Sequence, residues 1–237
     1  MRGVEKEMID LFVRYFPTYF DAFIMTIKLA ILSLIFASIV GIVVGLITST
    51  KTKNAFLKIL QGICKIYIDL IRGTPMLVQI LIIYYGIPQV LRASTGFQWA
   101  NIGGAFTAGI VILTLNAGAY MAEIVRAGIE SVDVGQFEAA RSLGLPYSKT
   151  MIKVILPQAI RTMLPSIINQ FIISIKDTSL LSTIGVRELT NNGKIQASAA
   201  SDQVMALYCM MALYYLVICL ALSKVSKMLE RRYSYGR

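Results

Sequence analysis

Long stretches without a charged residue alternate with short basic ones along this chain. Leu29–Thr50, Gly73–Leu91, Ala93–Ala122, Thr162–Ile175 and Gln203–Ser223 contain no Asp, Glu, Lys or Arg. A hydrocarbon core about 30 Å thick needs roughly 20 helical residues. All but the fourth of these windows meet or nearly meet that length. The fourth reaches it only by continuing through Lys176-Asp177 to Val186. The pattern predicts an all-α integral membrane protein, a single domain over residues 1–237. Its five transmembrane helices fall at roughly 20–48, 70–91, 100–125, 160–186 and 203–224.

Inside this frame the polar positions are few. In the first span Gly41 and Gly45 form a small-xxx-small pair that lets another helix approach closely. Between Phe56 and Leu70, Ile59, Leu60, Ile63, Ile66, Tyr67 and Leu70 recur at helical spacing, with Lys58, Gln61, Lys65 and Asp69 opposite. That is an amphipathic helix at the inner surface or the start of a span. Arg72-Gly73-Thr74-Pro75 follows, and reads equally as a helix start with proline in its first turn or as a discontinuous helix lining a path.

In the third span Asn116, Tyr120 and Glu123 run i, i+4, i+7 and share a face, and Glu123 can pair with Arg126 three residues on. An amide as deep as Asn116 should face the interior of a bundle. The fourth span carries Pro157, Pro165 and the cluster Lys176-Asp177-Thr178-Ser179. A charge at the bilayer centre costs at least ~2.5 kcal/mol, so Asp177 should be paired, wet or functional. It suits an α-amino or cationic group; the alternative is an outer ion pair with Lys176 ending a short helix.

Composition agrees with the membrane assignment: the chain is 56% hydrophobic, with mean hydropathy +0.67. The net charge of +10 would invite nucleic acid in a soluble protein, but here its placement decides. With the N-terminus outside, fifteen of the 23 lysines and arginines fall on inner segments, from Lys51 to Arg237. Arg2, Lys6 and six others fall outside. That asymmetry obeys the positive-inside rule and puts the C-terminus in the cytoplasm. No nucleic acid is expected. No cleavable signal peptide is expected either, because the first apolar run follows the mixed charges Glu5, Lys6, Glu7 and Asp10 and is too long for a signal core. Cys64, Cys209 and Cys219 have no metal or redox spacing, and the chain has no histidine, which removes His-based metal sites and Ser-His or Cys-His catalysis.

The polar interruption at 127–157 carries its own punctuation. Leu143-Gly144 marks a helix end, since glycine enters the left-handed region without a Cβ clash. Pro146 blocks continuation, and Ser148 can cap a second helix through Thr150 to Ile155, ahead of a span that begins at Pro157. A DNA-binding reading of this helix-turn-helix fails on its short tether and on the apolar Met151, Ile152, Val154 and Ile155.

Glu138-Ala139-Ala140, then Gly144, then Val154-x-Leu156-Pro157, resembles the EAA loop of prokaryotic ABC importer permeases, spacing included. Val154 stands where isoleucine is usual. Arg72 to Gln79, Ala119 to Arg126 and Lys176 to Leu180 look like the polar amino-acid uptake branch, and the resemblance runs from about residue 20 to 230. It implies the ABC type I importer permease fold in the cytoplasmic membrane of a prokaryote. Its implied partners are a second permease subunit (homodimer or paralogue heterodimer), two cytosolic ABC ATPase subunits, an extracytoplasmic substrate-binding protein and membrane lipid. Glu138, Ala139, Ala140, Arg141, Gly144 and Pro157 would then form the part that couples to the ATPase. Thr74, Gln79, Asn116, Glu123, Asp177 and Ser179 would be the polar lining that binds a polar amino acid such as glutamine or arginine.

No G-x-x-x-x-G-K-[ST] phosphate loop is present, Gly193-Lys194 being followed by Ile195. The chain is therefore expected to be no enzyme and to bind no cofactor itself, with ATP and Mg on the partner. The rival reading is an ion-gradient-driven secondary amino-acid transporter, which needs polar groups in its spans but no cytosolic EAA loop.

Overall fold

The computed structural model describes residues 2–234, with side chains over 10–231. Arg2, Glu5, Lys6, Glu7, Arg232 and Arg237 lie outside the described side chains. The elements in order are α1 (Arg2–Ser49), α2 (Ala55–Gly73), α3 (Met76–Leu81), α4 (Ile87–Thr95), α5 (Gly104–Glu130), α6 (Val134–Ser142), α7 (Tyr147–Thr150), α8 (Leu156–Asp177), α9 (Leu189–Ala199) and α10 (Val204–Ser234). Tightly wound 3-10 helices at Trp99–Ile102 and Thr178–Ile184 complete a structure with no strand among the described residues. Among the described residues five helical stretches are long and apolar enough to cross a membrane: Asp10–Ser49, Met76–Thr95, Gly104–Glu130, Tyr147–Ile184 and Val204–Arg231.

Two of these stretches open a wide turn just ahead of a proline and continue past it. Leu156 donates its N–H to Met151 O and Ile87 donates to Ile82 O, so each wide turn spans five residues instead of four. Each is followed at once by a proline, Pro157 or Pro88. A proline ring clashes with the carbonyl four residues back and leaves it without a donor. Opening the turn carries that carbonyl, of Lys153 or Tyr84, clear of the ring. The expected break at Pro157 is therefore absent, and the helix that starts at Tyr147 runs on through α8.

The chain divides into two compact units. The first comprises Met1–Ser33, Met76–Leu113 and Ile172–Ala221. Its core gathers Tyr19, Ala22, Leu189, Ala197, Leu207 and Met210. The Tyr19 hydroxyl donates to Leu207 O at 2.9 Å, and Trp99 Nε1 donates to Ile83 O at 3.1 Å inside the wide turn before Pro88. The segment after Arg187, between the fourth and fifth apolar windows, contains helix α9. Its N-cap is Glu188, which is fully buried. The carboxylate accepts from the backbone N–H of Thr190 (2.8 Å) and Asn191 (2.7 Å) and from the Tyr215 hydroxyl (2.9 Å). Burial pushes the Glu188 carboxyl up, and these donors oppose the shift without cancelling it.

The second unit comprises Leu34–Pro75, Thr114–Phe171 and Leu222–Arg237. Gly41 abuts Met121 and Gly45 abuts Val125, so α1 and α5 meet along the small-residue pair. Asn54 caps α2 by accepting from Phe56 and Leu57, and Gln61 donates to the carbonyls of Ile47 and Thr50 at the end of α1. The Tyr67 hydroxyl reaches Leu115 O at 2.6 Å. The buried face of α2 is Cys64, Ile68 and Ile71. Its apolar stripe of Phe56, Ile59, Ile63, Ile66 and Leu70 is exposed, and Lys65, Asp69 and Arg72, also exposed, line an open cavity with Gln61. A bare stripe of that kind suits contact with hydrocarbon.

Candidate functional site

The segment between α5 and α8 folds as a compact knuckle. Asp133 caps α6 by accepting from Gly135 at 2.6 Å. At its far end Gly144 has φ +82°, its N–H bonds Arg141 O at 3.0 Å, and the N–H of Leu145 bonds Ala140 O at 3.2 Å. These two bonds define a Schellman end, which needs a residue comfortable in the left-handed region. Arg141 adds a bond from its guanidinium to Leu145 O at 2.7 Å. Ala140 is buried, while Glu138, Ala139, Arg141 and Gly144 are exposed and Leu143 is 84% exposed. Phe137 packs edge-on against Tyr147, with ring centroids 5.7 Å apart.

The second helix begins differently from expectation. Pro146 occupies its N-cap in extended backbone, so Ser148 lies inside the first turn and does not cap it. Pro157 is exposed and lies within a continuing helix.

At the other polar motif, α2 ends at Gly73. Thr74 is extended (φ −121°, ψ 146°), with its hydroxyl bonded to Leu70 O at 2.8 Å, and helix resumes at Met76. The backbone breaks at Thr74 and a new helix begins directly after Pro75, which agrees with both readings of Gly-Thr-Pro.

The six expected lining residues divide between the units. Thr74, Asn116 and Glu123 belong to the second, where Thr74 is exposed and Asn116 is buried. Gln79, Asp177 and Ser179 belong to the first, where Gln79 is buried and the other two are half-buried. Lys176 is exposed, and Asp177 closes α8 ahead of the tight turn.

Glu123 is engaged with its own helix. Arg126 donates to it through Nε at 3.3 Å and through Nη2, and Arg126 also bonds Glu130 at 2.5 Å. Arg72 approaches Glu123 from α2 at 3.6 Å and lies over the Tyr120 ring, 5.6 Å from its centroid. The Glu123–Arg126 pair is legible in its spacing. Arg72 joins it only because α2 packs against α5, and no local signal announces that. Glu188, likewise absent from the expected set, sits in what its charges made look like loop. Among the described residues no group of three His, Cys, Asp or Glu side chains could hold a metal ion.

Five long apolar helices, with an ordered, exposed knuckle between two of them, define a multi-span membrane component. The chain belongs to the family of binding-protein-dependent transport system inner membrane components, whose model matches residues 41–235. It is 42% identical over 174 residues to the glutamine transport system permease protein GlnP of Escherichia coli K12, covering 73% of this chain and 76% of that one. To the L-cystine transport system permease protein TcyB of Bacillus subtilis it is 40% identical over 173 residues, covering 73% and 70%. A crystal structure of an amino acid ABC transporter with histidines superimposes with a TM-score of 0.82 at 39% identity, covering 93% of this chain and 96% of that one.

Proposed function

We propose that this chain is the permease subunit of an ABC importer that carries a polar amino acid, glutamine, arginine or a similar one, across the cytoplasmic membrane of a prokaryote. The observation that carries the reading is the knuckle at 134–157. It is rigid where it must keep its shape, at Gly144, Arg141 and the buried Ala140, and bare where a partner would seat, at Glu138, Ala139 and Leu143. It runs without interruption through Pro157 into α8, so a push on it is delivered to a membrane helix.

In this reading the N-terminus is outside and the C-terminus cytoplasmic, and 1–237 acts as one permease domain paired with a second copy or a paralogue. Two cytosolic ATPases bind ATP and Mg and hydrolyse the nucleotide. Their closure moves the knuckle and switches the permease pair from inward- to outward-facing. An external binding protein delivers the amino acid, and each ligand must favour one state for the cycle to turn. Asn116, Asp177 and Ser179, with Thr74 and Gln79, serve as polar lining. Glu123, already paired with arginines, contributes through them.

The test is uptake of labelled amino acids into proteoliposomes holding this chain with the ATPase and binding protein encoded beside its gene. Uptake that requires ATP and the binding protein is expected. Uptake driven by an ion gradient without either would overturn the proposal in favour of a secondary transporter.

A further inference from the structure

Two open cavities in the second unit share two lining residues. One, of about 550 Å³, is lined by Gln61, Lys65, Asp69, Arg126 and Glu130. The other, of about 290 Å³, is lined by Tyr120, Gly128, Met163 and Gln170. Arg72 and Glu123 line both.

The two side chains at this partition are held unequally. Glu123 receives two donors from Arg126, and Arg126 is braced in turn by Glu130. A forked arginine–carboxylate pair fixes orientation as well as charge. Arg72 touches Glu123 at 3.6 Å, beyond hydrogen-bond range, and otherwise rests on the face of Tyr120. Its side chain is 41% exposed. It leaves the last turn of α2 beside Gly73, around whose Cβ position nothing lies within 4 Å. If the contact opens, Glu123 keeps a full counter-charge and stays in place, whereas Arg72, partly exposed at the end of its helix, gives up only two loose contacts.

We infer that Arg72 is a swinging gate between the two cavities, with Glu123–Arg126–Glu130 as its fixed post and the Tyr120 ring as its rest. Swung aside, it joins them into one passage. A carboxylate arriving in either cavity competes with Glu123 for the guanidinium, so the gate responds to carboxylate-bearing solutes, the zwitterionic amino acids among them. The choice of solute rests on the permease reading; the partition does not.

Thiol labelling tests the partition without transport. In membranes carrying the full chain with Cys64, Cys209 and Cys219 changed to alanine, Gln170→Cys places a thiol in the smaller cavity, where the native side chain is buried. An anionic methanethiosulfonate is added to inside-out and to right-side-out vesicles. Arg72→Ala and Arg72→Gln should each raise the labelling rate about tenfold from one side, as expected from losing an exposed ion contact and a cation–π contact together. Arg72→Lys, which keeps the charge, should stay within about threefold of the parent. A rate unchanged from both sides in the Ala and Gln variants overturns the gate, and the Gln variant, which retains most of the side-chain volume, decides if the Ala variant fails to accumulate. Faster labelling in a chain that never supports ATP-dependent uptake would keep the gate and remove the permease reading.

Discussion

Gly45 and Val125 lie so close that a β-carbon built on Gly45 would stand 2.7 Å from the Cβ of Val125 and 2.8 Å from the carbonyl oxygen of Ala122. Here α1 and α5 touch backbone to backbone, as small residues permit between membrane helices. Gly45→Ala should therefore overpack the contact and cost about 1–3 kcal/mol. Gly62, on α2, has nothing within 4 Å of its Cβ position. Gly62→Ala should instead stabilise by about 0.5–1 kcal/mol, through helix propensity alone. Thermal melting of the purified chain in detergent checks both; equal shifts would refute the packing argument.

The knuckle depends on Gly144 at φ +82°. A β-branched residue there costs about 1–2 kcal/mol if the left-handed backbone is kept, so Gly144→Val should open the Schellman end rather than hold it. Its Cβ would meet nothing within 4 Å, so the damage stays local. Substrate-stimulated ATP hydrolysis and uptake by the reconstituted complex should drop severalfold while the melting temperature of the permease barely moves. Full activity would count against a docking role.

Glu188 links stability to pH. Its carboxyl is raised by burial, so the folded chain holds the proton more tightly than the unfolded one. Its contribution is complete below the ordinary carboxylate range, near about pH 4, and is lost as pH climbs through the raised value. The melting temperature of the parent minus that of Glu188→Gln should thus shrink from acid toward neutral pH. A difference that does not vary with pH, measured in one detergent at constant salt, would show that Glu188 titrates no differently in the folded chain.

Asp177→Ala addresses the lining. A charge-assisted bond contributes about 1.5–3 kcal/mol, so uptake should fall roughly 10- to 100-fold if Asp177 holds a substrate amine. Association with the ATPase, read by co-purification, should be retained. Unchanged uptake would remove Asp177 from the path.

What could be read before the fold was in hand depended on the range of the interaction. The Gly144 turn, the Glu123–Arg126 pair and the small face of Gly41 and Gly45 are written within seven residues or fewer, and local rules find them. Arg72 against Glu123 spans 51 positions, and only tertiary packing sets it. Ser148 misled because the capping preference attaches to side chains, whereas Pro146 had already taken the cap position through its backbone. Pro157 misled because the rule that proline ends a helix omits the remedy of widening the turn before it. Glu188 was hidden because α9 is short and polar, so neither its apolar content nor its charge marked it as structured.

That wide turn has a consequence for how the helix is phased. From Thr150 to Met163 the buried positions along it are Thr150, Ile155, Ala159 and Met163. Ala159 and Met163 each follow the previous member by four, but Ile155 follows Thr150 by five. Each α-helical residue turns about 100°, so the additional residue taken up at Met151–Ile155 resets which face points where. Any periodicity laid through 147–177 in one phase assigns its first turns to the wrong side. In evolutionary terms the turn is equivalent to a one-residue insertion that the helix absorbed without losing continuity. Deleting one residue there, with Pro157 replaced, would restore an unbroken four-residue rhythm from Thr150 to Met163.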